Sequence, residues 1–263
     1  MSSYTALVTG GSSGLGIEFA RQLAERGHKL ILTARSVDKL QSLADELNAS
    51  YPCEAWVYPV DLSSTDGAQQ LCEALTERHI HIDILINNAG VGAHGAFLSH
   101  DWEEEAALLK LNIVSLSELC HRLGQQMAQR GEGYILNVAS LMAFMPSPFL
   151  ASYAASKAYV YAFSQALSEE LSPQGVKVHT FCPGITKTGF QQRSGMVGKG
   201  FHLEHPLLKY SLMEAAPVVT EALDSLFEAK RMRIPGLMNR IMALGLRAMP
   251  TPWTTKLAKA LQG

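Results

Sequence analysis

Short β-rich apolar runs alternate along the chain with longer stretches whose apolar residues recur every three or four positions. Residues 4–9 form the first such run and stop at glycines; residues 14–25 follow, with Leu15, Phe19, Ala20 and Leu23 at helical spacing. The alternation continues as strand 29–33 with helix 37–47, strand 55–60 with helix 64–77, and strand 82–86, which is short and mostly apolar. A helix is predicted from 102 to about 127 through Leu108, Leu111, Leu116 and Leu119, and strand 133–138 follows it. Another helix runs over about 152–172, closed by Pro173 and Gly175, before strand 176–181. Strands alternating with helices imply right-handed crossovers and a parallel sheet with helices on both faces. Ligands of such sheets bind beyond the carboxyl ends of the strands. The residues that directly follow each strand are therefore the candidates for chemistry.

After the first strand comes Thr9-Gly10-Gly11-Ser12-Ser13-Gly14-Leu15-Gly16, a G-x-x-x-G-x-G turn through Gly10, Gly14 and Gly16. Such a turn lets the backbone approach a phosphate, and the helix N-terminus favours negative charge. The strict G-x-G-x-x-G fingerprint is absent, and a flexible turn would use glycines equally well; the position straight after the strand favours phosphate. Ala34-Arg35-Ser36 closes the second strand, with no carboxylate until Asp38. An acid there would accept a ribose 2′-hydroxyl, whereas an arginine accommodates a 2′-phosphate, so Arg35 points to NADP over NAD. Asp61-Leu62 and Asn87-Asn88-Ala89-Gly90 follow the next two strands, the latter either a plain turn or a loop held against a ribose. Asn112 lies inside a predicted helix, where propensity gives no reason for it. Ser140 and Pro183-Gly184-Ile185-Thr186 follow the fifth and sixth strands.

Tyr153 is the only one of eight tyrosines with a lysine, Lys157, four residues later. That spacing sets phenol and ammonium on one helix face. A free phenol loses its proton near pH ~10, and a nearby cation lowers that value, as suits a general acid–base group.

Composition narrows the function classes. With 47% hydrophobic and 17% charged residues the chain can bury a sizeable core, and a formal net charge of -2 gives no electrostatic reason to expect nucleic acid. Cys53, Cys72, Cys120 and Cys182 form no C-x-x-C pair and read as thiols in a reducing compartment. No signal peptide or membrane span is evident, so the expectation is a soluble cytoplasmic protein. Glu103, Glu104 and Glu105, after a candidate N-cap at Asp101, read as a solvated helix start. His79 with His81, and His202 with His205, lack a third ligand, so no metal is expected.

Together these residues resemble the short-chain dehydrogenase/reductase family: Thr-Gly-x-x-x-Gly-x-Gly, Asp61-Leu62, Asn87-Asn88-Ala89-Gly90, Asn112, Ser140, Tyr153-x-x-x-Lys157 and Pro183-Gly184, in that order, over about residues 4–190. The resemblance implies one Rossmann-like domain over 1–263, α/β with a doubly wound sheet of seven parallel strands, the seventh near 231–234. It implies a nicotinamide cofactor, a homodimer or homotetramer paired through the long helices, and the following roles. Tyr153 is the general acid; Lys157 lowers its pKa and binds the nicotinamide ribose; Ser140 orients the carbonyl; Asn112 holds a water for proton resupply. Gly10, Ser12, Ser13, Gly14, Leu15 and Gly16 cradle phosphates. Asp61 binds the adenine, Asn88 meets the adenosine side, and Ile185 and Thr186 meet the carboxamide; Leu62, Ala89, Gly90, Pro183 and Gly184 are cofactor-binding as well.

Residues 186–213, with Gly189, Gly195, Gly198 and Gly200, suit a substrate-covering loop. Leu141, Met142, Phe144, Met145, Phe149 and Phe190 favour a lipophilic carbonyl, acyl or steroid-like. In the helical extension 236–263, Leu237, Ile241, Leu244 and Met249 are interleaved with Arg240 and Arg247, and Trp253, Lys256, Leu257 and Lys259 follow. That pattern fits packing on the body or on a partner subunit, and also an interfacial membrane helix; packing is the expectation. The leading function is an NADP(H)-dependent carbonyl reductase or alcohol dehydrogenase. The alternatives are an NADP(H)-binding sensor or scaffold without turnover and a membrane-peripheral lipid carbonyl reductase.

Overall fold

Alternate residues of each central strand enter different cores. Ala6, Val8, Leu30, Leu32, Ile84, Ile86 and Leu136 pack on one face of the sheet, and Leu7, Ile31, Leu85 and Ile135 on the other. A sheet buried on both sides needs helices on both sides, and the computed structural model, which describes residues 3–196 and 212–262, has them. Strands β1 (Thr5–Thr9), β2 (Lys29–Thr33), β3 (Ala55–Val57), β4 (Ile84–Asn87), β5 (Gly133–Val138), β6 (Val176–Phe181) and β7 (Met232–Arg233) form one sheet in the order 3-2-1-4-5-6-7. Every pairing is parallel. Helices α1 (Leu15–Glu25), α2 (Val37–Ser50) and α8 (Ala215–Phe227) contribute to the first core. Helices α3 (Gly67–Glu77), α5 (Leu116–Arg130) and α6 (Ala151–Leu171) contribute to the second. The expected doubly wound α/β fold is therefore present. Its order reverses between β1 and β4, and the crevice beyond that point is the ligand-binding place of such sheets.

Three boundaries differ from the sequence pattern. β3 stops at Val57 instead of continuing to residue 60, although on either side of Pro59 the Tyr58 and Val60 N–H groups still donate to the Leu32 and Ala34 carbonyls at 2.9 and 3.2 Å. α3 starts at Gly67, three residues late, because Ser63 and Ser64 fold back on Asp61: the Ser63 N–H and hydroxyl donate to Asp61 Oδ1 at 2.9 and 2.6 Å. Within the long predicted helix, α4 (Trp102–Leu109) and α5 are joined by a π-helical turn over Lys110–Ser115. Asn112 lies in that turn, fully buried, and π-bulges are where a helix redirects a side chain for use.

One acidic residue is misread by the pattern. Glu105 is not a solvated helix-start charge but is buried, with its Oε1 2.6 Å from His100 Nδ1. Asp101 occupies the N-cap position, yet its side chain makes no capping bond.

A buried polar line anchors α6 to the sheet. Asn87 and Asn137 are register partners on β4 and β5, and Asn87 Nδ2 donates to Asn137 Oδ1 at 2.9 Å. Asn137 Nδ2 donates to Ser164 Oγ at 2.9 Å, and Ser164 donates on to the Val160 carbonyl at 2.6 Å. Buried amides are stabilising only while paired, and each group left unpaired costs about 1–3 kcal/mol. Asn137→Ala should therefore lower the free energy of unfolding by roughly 2–4 kcal/mol in urea titration. A loss under about 1 kcal/mol would show that water satisfies these groups.

Candidate active site

The turn after β1 wraps the N-terminus of α1. Gly16 must be glycine, since a Cβ there would stand 2.1 Å from the Gly10 carbonyl oxygen. No side chain caps α1, and although the Gly16 N–H donates to the Ser13 carbonyl at 3.1 Å, the positive end of the helix stays open to an anion. The Thr9 hydroxyl ties the turn to the loop after β4: it donates to the Ile86 carbonyl at 3.1 Å and accepts from the Asn88 and Ala89 N–H groups at 3.0 and 2.9 Å. Asn88 Nδ2 returns a bond to the Thr9 carbonyl at 2.9 Å.

Asn112 holds the next residues of that loop. Its Oδ1 accepts from the Val91 N–H at 3.0 Å, and its Nδ2 donates to the Val91 carbonyl at 2.9 Å and to Ser156 Oγ at 3.0 Å. Ser156 precedes Lys157 on α6, so one amide joins the loop to the helix that carries the tyrosine and lysine. Gly90 lies flat between them, where a Cβ would come 3.2 Å from Asn112 Oδ1 and 3.4 Å from Lys157 Nζ.

Tyr153 and Lys157 are both buried at the base of the cleft. Lys157 Nζ donates to the Val138 carbonyl at 2.8 Å and stands 5.9 Å from the Tyr153 ring centroid. Burial pushes Lys157 down to about 8, with Cys182 a smaller opposing influence. It pushes Tyr153 up to about 12, against the hydrogen-bonding effect of Ser140. In this geometry the ammonium engages a backbone carbonyl, and desolvation is the larger influence on the phenol. Ser140 Oγ also accepts from the Met142 N–H at 3.1 Å, which shapes the short helical turn after β5.

A cleft of about 130 Å³ brings most of the candidates together. Gly10, Ser13, Gly14 and Leu15 form one wall, and Asn88, Ala89 and Gly90 the next. Ser140, Tyr153 and Lys157 lie beside Pro183, Gly184 and Thr186. Ser12, Gly16, Leu62, Asn112 and Ile185 do not line it; Gly16 and Asn112 are buried behind its walls, and Leu62 belongs to the second core. Arg35 and Asp61 are exposed at the β2–β3 side, where Asp61 is held below the usual carboxylate range: partial desolvation opposes, but the Ser63 bonds and Arg35 prevail. Of the apolar candidates, Phe190 lines the cleft, its ring centroid 5.6 Å from that of Tyr153, and Met142 packs in the same cluster. Leu141 belongs to the core, Phe144 meets Tyr161 edge to face, and Phe149 lies against His94. Val138, Ala139, Thr188, Gln191 and Arg193 also line the cleft and were not singled out from sequence. Nothing local marks them, since α7 (Phe190–Arg193) is only four residues long. Gly198, Gly200, His202, His205 and most of the proposed substrate-covering segment lie outside the described residues.

The uncapped helix end, the side-chain-free approach at Gly16 and Gly90 and the run of backbone from β1 to β4 fit a dinucleotide. Residues 4–196 match the short chain dehydrogenase family. The probable oxidoreductase EphD of Mycobacterium tuberculosis is 33% identical over 194 residues, covering 73% of this chain and 33% of that protein. A very-long-chain 3-oxoacyl-CoA reductase of Neurospora crassa is 38% identical over 193 residues, covering 71% of this chain and 57% of that protein. The chain thus spans about a third of the first of these curated relatives and just over half of the second. A solved short-chain dehydrogenase from Sphingobium yanoikuyae in complex with NADPH superposes with a TM-score of 0.81 at 33% identity, covering 92% of each chain. The chain belongs to the short-chain dehydrogenase family.

Lys157 yields a test of the geometry without cofactor. Its proton is lost near 8 in the folded chain against the ordinary 10.5, so between those values the unfolded chain binds more protons and stability rises with pH. Burying the charged form is a cost fully present below about pH 8. Lys157→Met should therefore exceed the wild-type Tm by most below pH 8, the gap narrowing toward pH 10.5. A gap constant over that window would contradict burial of the ammonium.

Proposed function

We propose that this short-chain dehydrogenase is an NADP(H)-dependent carbonyl reductase, or in reverse a secondary-alcohol dehydrogenase, acting on a lipophilic substrate within a single domain. The observation that carries the reading is the placement of Tyr153, Lys157 and Ser140 in one cleft with the glycine turn of β1. A nicotinamide cofactor is typical of the family, and it supplies the hydride; the chain supplies orientation, proton transfer and exclusion of water.

In this reading the turn Gly10–Gly16 and the end of α1 hold the pyrophosphate. Asn88, Ala89 and Gly90 bound the ribose side, and Pro183, Gly184, Ile185 and Thr186 the carboxamide. Asp61 and Leu62 sit on the adenine side. Ser140 donates to the substrate oxygen and orients it. Tyr153 gives that oxygen its proton, and a phenol pushed up to about 12 stays protonated at neutral pH, as a donor must be. Lys157 holds positive charge beside the phenolate that forms and binds the nicotinamide ribose. Asn112, both of whose amide hydrogens are used by Val91 and Ser156, serves proton resupply through the remaining lone pair of Oδ1.

The NADP preference rests on Arg35, an exposed guanidinium straight after β2 with no carboxylate in Ala34-Arg35-Ser36. The NADPH complex of the 33%-identical relative supports it. The lipophilic preference rests on Phe190 and Met142 beside Tyr153, and on the similarity to a very-long-chain 3-oxoacyl-CoA reductase.

Tyr153→Phe should lower kcat on the order of 10² to 10⁴-fold while cofactor affinity, read by NADPH fluorescence, changes little; full activity would sink the assignment. Arg35→Asp should move the ratio of kcat/KM for NADPH over NADH toward NADH by about 10-fold or more, equivalent to about 1.4 kcal/mol. An unchanged ratio would show that Arg35 does not meet the 2′-phosphate.

A further inference from the structure

After Gly236 the chain forms α9 (Leu237–Ala248) and, past Pro250, α10 (Thr251–Gln262). The first of these helices is mounted with its apolar stripe outward. Leu237, Ile241 and Leu244, at spacings of four and three, are 72%, 56% and 71% exposed. The side toward the body is small and polar. Ala243 and Asn239 are buried, and Asn239 packs on the cleft wall, where a Cβ on Gly184 would lie 2.6 Å from its Nδ2. Arg240 donates to the Ile234 carbonyl at 3.0 Å and pairs with Glu221 at 3.2 Å. Arg247 donates to the Tyr161 hydroxyl at 2.9 Å and lies 4.3 Å over the Phe144 ring. Helices packed on a protein body ordinarily do the reverse.

Charge identifies what suits this face. Residues 229–263 contain Lys230, Arg231, Arg233, Arg240, Arg247, Lys256 and Lys259 and no Asp or Glu, in a chain whose formal charge is -2. Lys230, Arg231, Arg233 and Arg240 are paired with Glu228, Glu169 and Glu221. Arg247, Lys256 and Lys259 have no carboxylate partner among the described residues, and both lysines are exposed on α10 beside Trp253, itself 66% exposed. A two-fold contact with a second copy would set this cationic segment against itself. An anionic bilayer supplies the opposite charge, accepts the aliphatic stripe, and suits a tryptophan at its headgroup level. No described helix is long and apolar enough to cross a membrane, so the helix would lie in the interface plane.

We propose that Leu237, Ile241 and Leu244, with Trp253, Lys256 and Lys259, dock this protein on an anionic lipid surface. The test is flotation of the full chain with phosphatidylcholine vesicles, with and without phosphatidylglycerol. Binding is expected only to the anionic vesicles, weakened by salt and by Lys256→Gln with Lys259→Gln. Ile241→Asp with Leu244→Asp, at exposed sites where the melting curve should be unchanged, should reduce binding by roughly tenfold or more. Tyr153→Phe should float like wild type, which separates this proposal from the catalytic one. Absence of flotation on either vesicle, or flotation untouched by the aspartates, overturns it. If the aspartates instead lower the oligomeric mass in light scattering, without any vesicle binding, the face belongs to a second copy and the proposal fails.

Discussion

A primary ammonium inside a protein must find acceptors, and the demand of Lys157 organises the centre of this molecule. Its Nζ reaches the carbonyl of Val138 at the end of β5, and the loop after β4 closes over it at Gly90. For that to hold, α6 must keep its height and rotation against the sheet. Two buried side-chain links do this on either side of the lysine: Asn112 to Ser156 next to it, and Asn137 to Ser164 two turns further on. Each link joins segments far apart in the chain, so misplacing any one strand end would strand a polar group in the core.

The same burial separates the tasks of the two titratable groups. Desolvation disfavours whichever form is charged, so it holds the phenol protonated and loosens the proton on the ammonium. The family match ends at residue 196. Helices α9 and α10 lie past that point, yet α9 reaches back to Gly184 through Asn239. The wall of the cleft is thus supported by a segment beyond the matched residues.

Much of the fold was readable along the chain because its periodicities are local. β2, β5 and β6 have the bounds that the apolar runs predict, and the glycine turn, Ser140 and Pro183-Gly184 all emerge at strand ends on one side of the sheet. Legibility failed where a residue's reason lies elsewhere. Asn112 contradicts helix propensity because its partners are 21 and 44 residues away. Nothing local marks Asn137, whose partners Asn87 and Ser164 are 50 and 27 residues away. Glu105 looks like one of three solvated acids, but the loop that brings His100 over it puts it inside.

The sequence by itself determined the alternation of strands and helices, the parallel sheet, and the strand ends at which chemistry-bearing residues gather. These follow from backbone periodicity and from motifs read within a few positions. The tertiary structure alone decided three things: that the Lys157 ammonium reaches the Val138 carbonyl, that Asn112 works as a clamp, and that α9 turns its arginines inward and its leucines out. An amphipathic repeat states that a helix has two faces. Which of them meets the body depends on the groups waiting there, here Glu221, Tyr161 and Phe144, and these are brought up by folding from distant parts of the chain.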